Sequence, residues 1–287
     1  MFNSRPSQAT RLLLLGILLI ICATFVLPFL WMTATSLKTL PQTISDPLSF
    51  FPVPPQFHNY PDVLRSEKVN FPLFAHNTLV LAVLVVAGTV FSSALCAYGF
   101  AKIRFPGRGP LFVMMLATMM IPGTVTMVSM FTLFRYLGEM TGLQFIGTFK
   151  PLWIPAFFGN SFFIFLLRQF FLTVPDELSE AARIDGCSEF GIFFRVMLPL
   201  SRPALLVVAL FSFMGTWNDF LGPLIYLQRP DQYTLALGLQ AFQSQHGGAE
   251  TNQLMAASLM VIAPIIVLFF MTQKTFIQGI ATTGMKG

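Results

Sequence analysis

Residues 12–35 read LLLLGILLIICATFVLPFLWMTAT, with no ionisable side chain other than Cys22 from Leu12 to Thr35. A bilayer's hydrocarbon core takes roughly 20 residues of apolar helix, and this stretch exceeds that. It is preceded by Arg5 and Arg11, as a secretory leader would be, but it outruns the roughly 7–15 residues of a leader's apolar region. We read it as a first membrane span that stays on the protein. Stretches of similar character run from Phe74 to Ala101, Leu111 to Phe134, Pro151 to Leu167, Pro203 to Tyr226 and Leu254 to Thr272. The expectation is an all-α integral membrane protein with six transmembrane helices, forming a single domain over residues 1–287.

Composition agrees. Of 287 residues, 55% are hydrophobic and 10% charged, against about 25% charged in ordinary globular chains, and the mean hydropathy is +0.71. The 33 Phe and 15 Met residues suit space between helices and against lipid, where a polar atom would need a partner. No stretch is left over for a soluble domain. The net charge of +5 arises from Lys and Arg placed singly at the ends of apolar runs, which argues against a nucleic-acid partner and for a topological role. With both termini in the cytoplasm, Arg5, Arg11, Lys102, Arg104, Arg108, Arg168, Arg183, Arg195, Arg202, Lys274 and Lys286 lie inside. Lys38, Arg65, Lys68, Lys150 and Arg229 lie outside, and Arg135 lies near the boundary, in keeping with the positive-inside rule. Cys22, Cys96 and Cys187 are too few and too scattered for a disulfide framework or a metal site.

Two connections are longer than turns. The external one, Lys38 to Leu73, carries Pro47, Phe50, Phe51, Pro52, Pro54, Pro55, Phe57 and Tyr60, a composition that predicts an extended, semi-rigid segment lying against a partner. The internal one, Arg168 to Arg202, contains VPDELSEAARIDG at residues 174–186. Pro175 followed by acids suits a helix start, where proline's missing N–H costs nothing and carboxylates meet the positive dipole end. A helix of about eleven residues, near 16 Å long, is predicted. Gly186 stands where it must stop, able to take the left-handed conformation that closes a helix end. A second short helix, Ser188 to Leu198, should run to Pro199 with Phe190, Phe193, Phe194 and Met197 on one side. An amphipathic connector at the membrane surface is the plainer alternative, but Asp176, Glu177, Glu180 and Asp185 would be repelled by anionic headgroups, and a protein partner suits them better.

Glu180-Ala181-Ala182, Gly186, Val196 and Leu198-Pro199, at their spacing here, resemble the EAA signature of the permease subunits of bacterial ABC importers. Ser36-Leu37-Lys38, Phe51-Pro52, Asn59-Tyr60, Trp217-Asn218-Asp219-Phe220 and the ending Met285-Lys286-Gly287 are similar to the carbohydrate branch of that family, the maltose- and glycerol-phosphate-type permeases. Val196 stands where Ile is common, and Asp219 where Glu is. The resemblance implies a type I ABC importer fold in the bacterial inner membrane, with residues 174–200 as a cytoplasmic coupling loop seated in a cleft of the ATPase. It also implies partners: an ABC ATPase dimer that binds ATP and Mg, a second homologous permease, and an extracytoplasmic solute-binding protein docking on Lys38–Leu73 and Arg229–Gln253. Ala181 and Ala182 would pack closely on the ATPase, Glu180 and Asp185 would pair with its charges or amides, and Gly186 would make the turn. Leu198 and Pro199 would complete the loop. This chain would hold no cofactor, catalyse nothing itself, and carry a sugar or sugar derivative.

Polar groups within the spans are the remaining candidates. Asp219 beside Asn218 in the fifth span is costly at membrane depth unless it meets water or a partner; both residues could equally cap a kink near Gly215, Gly222 and Pro223. Trp217 suits sugar stacking, anchoring or packing alike. His76, Asn77, Thr124, Thr126 and Ser129 are further polar residues at or within spans, and Ile121-Pro122-Gly123 should bend the third. The absence of GxxxxGK[ST], GxSxG and HExxH removes P-loop ATP binding and the common hydrolase motifs. A stand-alone secondary transporter or channel remains as an alternative, but it would call for more intramembrane charge than Asp219 supplies.

Overall fold

A computed structural model describes residues 7–66, 69–245 and 250–284. Arg5, Lys68, His246, Gly247, Gly248, Lys286 and the ending Met285-Lys286-Gly287 lie outside the described residues. Described residues form helices and connections, with no strand among them. In chain order the helices are α1 (Gln8–Ser36), α2 (Leu40–Ser45), α3 (Asn59–Leu64), α4 (Phe71–Lys102), α5 (Arg108–Thr118), α6 (Gly123–Thr141), α7 (Lys150–Trp153), α8 (Ser161–Thr173), α9 (Asp176–Ile184), α10 (Glu189–Ile192), α11 (Leu198–Leu200), α12 (Arg202–Trp217), α13 (Leu221–Tyr226), α14 (Leu235–Gln245) and α15 (Thr251–Gly284).

Four segments are long and apolar enough to cross a membrane: Gln8–Ser36, Phe71–Lys102, Lys150–Thr173 and Thr251–Gln273. Two bent pairs, α5 with α6 and Glu189–Leu200 with α12, bring the number to six if each crosses once. The third span bends where Ile121-Pro122-Gly123 predicts, and the fifth is broken both before and after α12. In the third, Pro122 lacks the N–H a continuing helix needs, and the axis turns by 98° between α5 and α6. The fourth starts earlier and ends later than Pro151–Leu167: Ile154–Phe158 is a 3-10 turn, Gly159 takes φ +85°, and the Asn160 carboxamide oxygen caps α8 by accepting from the amides of Phe162 (3.1 Å) and Phe163 (3.3 Å). In the fifth, Asn218–Phe220 interrupts the expected 203–226 helix between α12 and α13.

The chain divides into two compact units, residues 1–71 with 239–263, and 72–238 with 264–287. In the first, α1 is apolar all round and exposes Leu12, Ile20 and Phe25, as a lipid-facing helix does. At its end the chain makes a buried polar knot. Lys38 is 1% exposed, and its ammonium donates to the carbonyls of Asp46 (2.8 Å) and Pro47 (3.2 Å). The Asn59 amide donates to the carbonyls of Ser36 (2.8 Å) and Lys38 (2.9 Å) and accepts from Asn252 Nδ2 (3.1 Å). Ser36 and Tyr60 hydroxyls meet at 2.8 Å. The 38–58 connection is thus not the extended segment expected. Trp31 Nε1 and Gln42 Nε2 donate to the carbonyls of Pro47 and Val53, drawing its proline-rich run back on itself, and α2 and α3 form within 38–64. These helices start where Thr39 and Gln42 complete a capping box and where Asn59 anchors the chain.

The second unit packs around Ala94, Ala97, Tyr98, Leu167, Phe171, Ile192, Phe193, Met197 and Val208, all buried. Ala94, Ala97 and Ala101 stack on one face of α4; small side chains there let neighbouring helices approach, which is how helices pack where lipid is as apolar as the protein. α4 is also tied at mid-length. Ser92 Oγ donates to the Ala156 carbonyl (2.8 Å) and accepts from the Gly159 amide (3.1 Å), while Ser93 Oγ accepts from the Asn160 amide (3.2 Å).

Candidate functional site

The 174–200 connection rests on this second core. α9 spans nine residues, Asp176–Ile184, rather than about eleven, because Asp185 already leaves the helical conformation. Gly186 follows at φ +82°, its amide donating to the Arg183 carbonyl (3.1 Å) while the Cys187 amide donates to that of Ala182 (2.9 Å). These bonds satisfy the last carbonyls of α9, as a left-handed closing residue allows. Ser188 then caps the return helix, its hydroxyl accepting from the Gly191 amide at 3.2 Å.

The return helix departs from the sequence expectation at its end. It does not stop at Pro199. A π-helical turn at Phe193–Met197, with the Leu198 amide donating to the Phe193 carbonyl, accommodates the ring, and the break of 80° comes at Ser201. A proline inside a helix removes a donor and crowds the preceding turn, and one wider turn relieves both. Its buried face is Ile192, Phe193 and Met197, whereas Phe190 and Phe194 are exposed.

Two clasps join this connection to α4. The Lys102 ammonium donates to the Val174 carbonyl (2.7 Å) and pairs with the Asp176 carboxylate at the start of α9. At the other end of α9, Glu189 receives Arg183 Nη2 (2.7 Å) on one oxygen and the Tyr98 hydroxyl (2.7 Å) on the other. Hydrogen bonding from Lys102, reinforced by its charge, holds the Asp176 carboxyl below its usual range. A depressed folded-state value means the clasp is complete above the ordinary carboxylate pKa near 4 and is lost as pH falls through the lower folded value. Protection of the hydrogen-bonded amides of α9, corrected for the pH dependence of intrinsic exchange, is expected to fall over that acidic window. Asp176→Asn should show the lower protection at every pH, with no acid step.

Of the residues expected to couple, Glu180, Ala181, Asp185 and Gly186 are exposed, as are the apolar Leu178 (44%) and Ile184 (86%). Ala182 is half-buried and packs toward the chain's own core, so it is Ala181 that presents a small surface outward. Leu198 is half-buried and Pro199 exposed on the return helix. The sequence reading missed the clasps: Lys102 was assigned to topology alone, and Tyr98 and Glu189 carry no local pattern.

The polar residues of the fifth span have structural occupations. Asn218 Nδ2 donates to the Met214 carbonyl at 2.8 Å, and Asp219 Oδ1 accepts from the Gly222 amide at 3.1 Å, capping α13. Trp217 is buried and stacks on Phe213 at 5.1 Å between ring centroids. Loss of such a cap costs about 1 kcal/mol. Asp219→Ala should therefore lower the thermal midpoint, and Asp219→Asn, which keeps the accepting oxygen, should not. A fall in solute uptake with Asp219→Asn alone would reveal a contact with solute. Among the described residues no three His, Cys, Asp or Glu side chains gather as a metal site would require.

Residues 89–281 match the family described as the binding-protein-dependent transport system inner membrane component. The chain belongs to that family. The matched stretch starts within α4 and includes all of 174–200. As an inner membrane component, the chain is 36% identical to the arabinooligosaccharides transport system permease protein AraQ of Bacillus subtilis, covering 80% of this chain and 79% of that one. It is 30% identical to the trehalose/maltose transport system permease protein MalG of Thermococcus litoralis, covering 96% of both. A bacterial ABC transporter chain involved in import of the acidic polysaccharide alginate shares the fold at a TM-score of 0.81, with 23% identity over 96% of this chain and 99% of that one. It is a multi-pass membrane protein of the transporter class.

Proposed function

We propose that the chain is one permease subunit of an ATP-driven sugar importer in the bacterial inner membrane, with both termini cytoplasmic. It would pair with a second, homologous permease, and a separate ABC ATPase dimer would bind ATP and Mg and hydrolyse the nucleotide. An extracytoplasmic binding protein would deliver the solute. The observation that carries this reading is α9, a short acidic helix that turns back at Gly186 and leaves Leu178, Ala181 and Ile184 uncovered. Apolar side chains beside Glu180 and Asp185 fit a protein cleft better than either water or anionic lipid. In this reading Ala181 sits against the ATPase, Glu180 and Asp185 meet its charges or amides, Gly186 sets the turn, and Ala182, Leu198 and Pro199 hold the helix to the membrane domain. ATPase closure would move α9 and shift the pathway between inward- and outward-facing states. Trp217, Asn218 and Asp219 would lie along that pathway. The relatives named for oligosaccharide and disaccharide transport support a sugar cargo.

Extraction of the protein from its native membrane in mild detergent, with mass spectrometry of what stays bound, tests this. An ABC ATPase and a second permease are expected; a lone chain that moves solute unaided would mean a stand-alone transporter.

A further inference from the structure

α4 is fastened at both ends and in the middle. At one end Lys102 and Tyr98 hold the start and the finish of the α9 turn through Val174, Asp176 and Glu189. At the other, Asn77 Nδ2 donates to the carbonyls of Asp231 (2.9 Å) and Tyr233 (3.1 Å), and the Thr78 hydroxyl accepts from the Leu235 amide (2.8 Å). Phe74 adds a ring contact with Tyr233 at 5.9 Å, and it lies so close to Gly238 that a Cβ there would fall under 3 Å from the ring. At 1.5 Å per residue, Asn77 and Lys102 stand about 38 Å apart along the axis, more than the roughly 30 Å of a bilayer's hydrocarbon.

The third, fourth and fifth spans are interrupted: α5 and α6 bend by 98°, the fourth span includes a 3-10 turn, α12 follows an 80° bend, and Asn218–Phe220 separates α12 from α13, while α15 is continuous but carries Pro264 in its interior. α4 runs from Phe71 to Lys102 as one helix with its proline confined to the first turn. An unbroken helix transmits an axial displacement or rotation; a bent pair absorbs it at the bend.

Resting on the importer reading above, we propose that α4 is the strut that carries movement of the α9 turn to the 231–235 segment at the opposite membrane face, through Tyr98 and Lys102 at one end and Asn77 and Thr78 at the other. These four are positioning residues: none need touch solute or nucleotide. Solute binding at one face and nucleotide hydrolysis at the other would then be coupled through one helix.

The test uses the whole transporter reconstituted in proteoliposomes, with solute moved per ATP hydrolysed as the readout and the thermal midpoint of the complex as the control for folding. Tyr98→Phe with Lys102→Met at one end, and separately Asn77→Leu with Thr78→Val at the other, remove hydrogen bonds while nearly keeping side-chain volume. Each pair is expected to lower the ratio about fivefold or more, the lower end of a typical coupling between sites; the Asn77/Thr78 pair, which strands two carbonyls and an amide, should also lower the midpoint, so the ratio is read well below it. Should either double variant lose stability, the milder Tyr98→Phe and Thr78→Val single variants carry the same comparison. A normal ratio in the Asn77/Thr78 variants, with loss only near α9, would overturn the strut and leave a local clamp. Normal ratios at both ends would overturn it outright. If the unaltered chain brings down no ATPase, the importer reading fails first, and the strut with it.

Discussion

Gly186→Val is expected to cut solute uptake about tenfold or more while the ATPase goes on hydrolysing nucleotide. Gly186 sits at φ +82°, and nothing lies within 4 Å of where its Cβ would be. The substitution therefore acts through the backbone alone. A left-handed conformation costs an L-residue roughly 1–2 kcal/mol, and a β-branched side chain fares worst there. About 1.4 kcal/mol is a factor of ten in an equilibrium, enough to displace α9 from the position that Lys102 and Glu189 define. Gly186→Asn supplies the control, since asparagine visits this region at small cost and should keep most of the uptake. Uptake and hydrolysis measured together in the same vesicles decide the matter. Loss of both activities in Gly186→Val, with the ATPase no longer bound, would point to a docking defect instead of uncoupling.

The second large effect belongs to the knot at the end of α1. Asn59→Leu leaves the carbonyls of Ser36 and Lys38 and the Asn252 amide without the bonds they now make. Each buried group stranded in this way costs about 1–3 kcal/mol, so the three together are expected to cost roughly 3–9 kcal/mol, most of a domain's margin. The purified chain should melt far earlier in detergent, and the 38–58 connection should become open to protease. Lys38→Met should cost much less. It removes an ammonium that is expensive to bury, and Pro47 keeps the bond from Trp31 at 2.9 Å. A Lys38→Met variant as damaged as Asn59→Leu would mean that the charge itself, not the amide, holds the knot.

Much of the architecture could be read from hydropathy, because span length answers to bilayer thickness and little else. The α9 turn was legible for a different reason: Pro175, the acids after it and Gly186 each act on the backbone within a few residues. The break at Ser201 was not, and the one at Asn218–Phe220 was legible only as one of two readings, since proline and asparagine report that a helix is perturbed without saying by how much. Spacing put Phe190, Phe193, Phe194 and Met197 on one side of the return helix, but it could not tell that Phe193 and Met197 are buried and Phe190 and Phe194 exposed. The clasps lay furthest from reach. Lys102 and Asp176 are 74 positions apart and Tyr98 and Glu189 are 91 apart, and no periodicity links them. Ser36-Leu37-Lys38 and Asn59-Tyr60 were recognisable as a pattern, but only the folded chain brings them together around one carboxamide.

That carboxamide also sets an order of events during biosynthesis. Asn59 and its partner Asn252 are 193 positions apart, and at about 5–20 residues per second a ribosome needs roughly 10–40 s to get from one to the other. Through that interval Asn59 has no Asn252 to receive, so the knot stays one bond short until the last span emerges. A nascent chain arrested before residue 252 should expose its 38–58 connection to protease, and one arrested well beyond it should not.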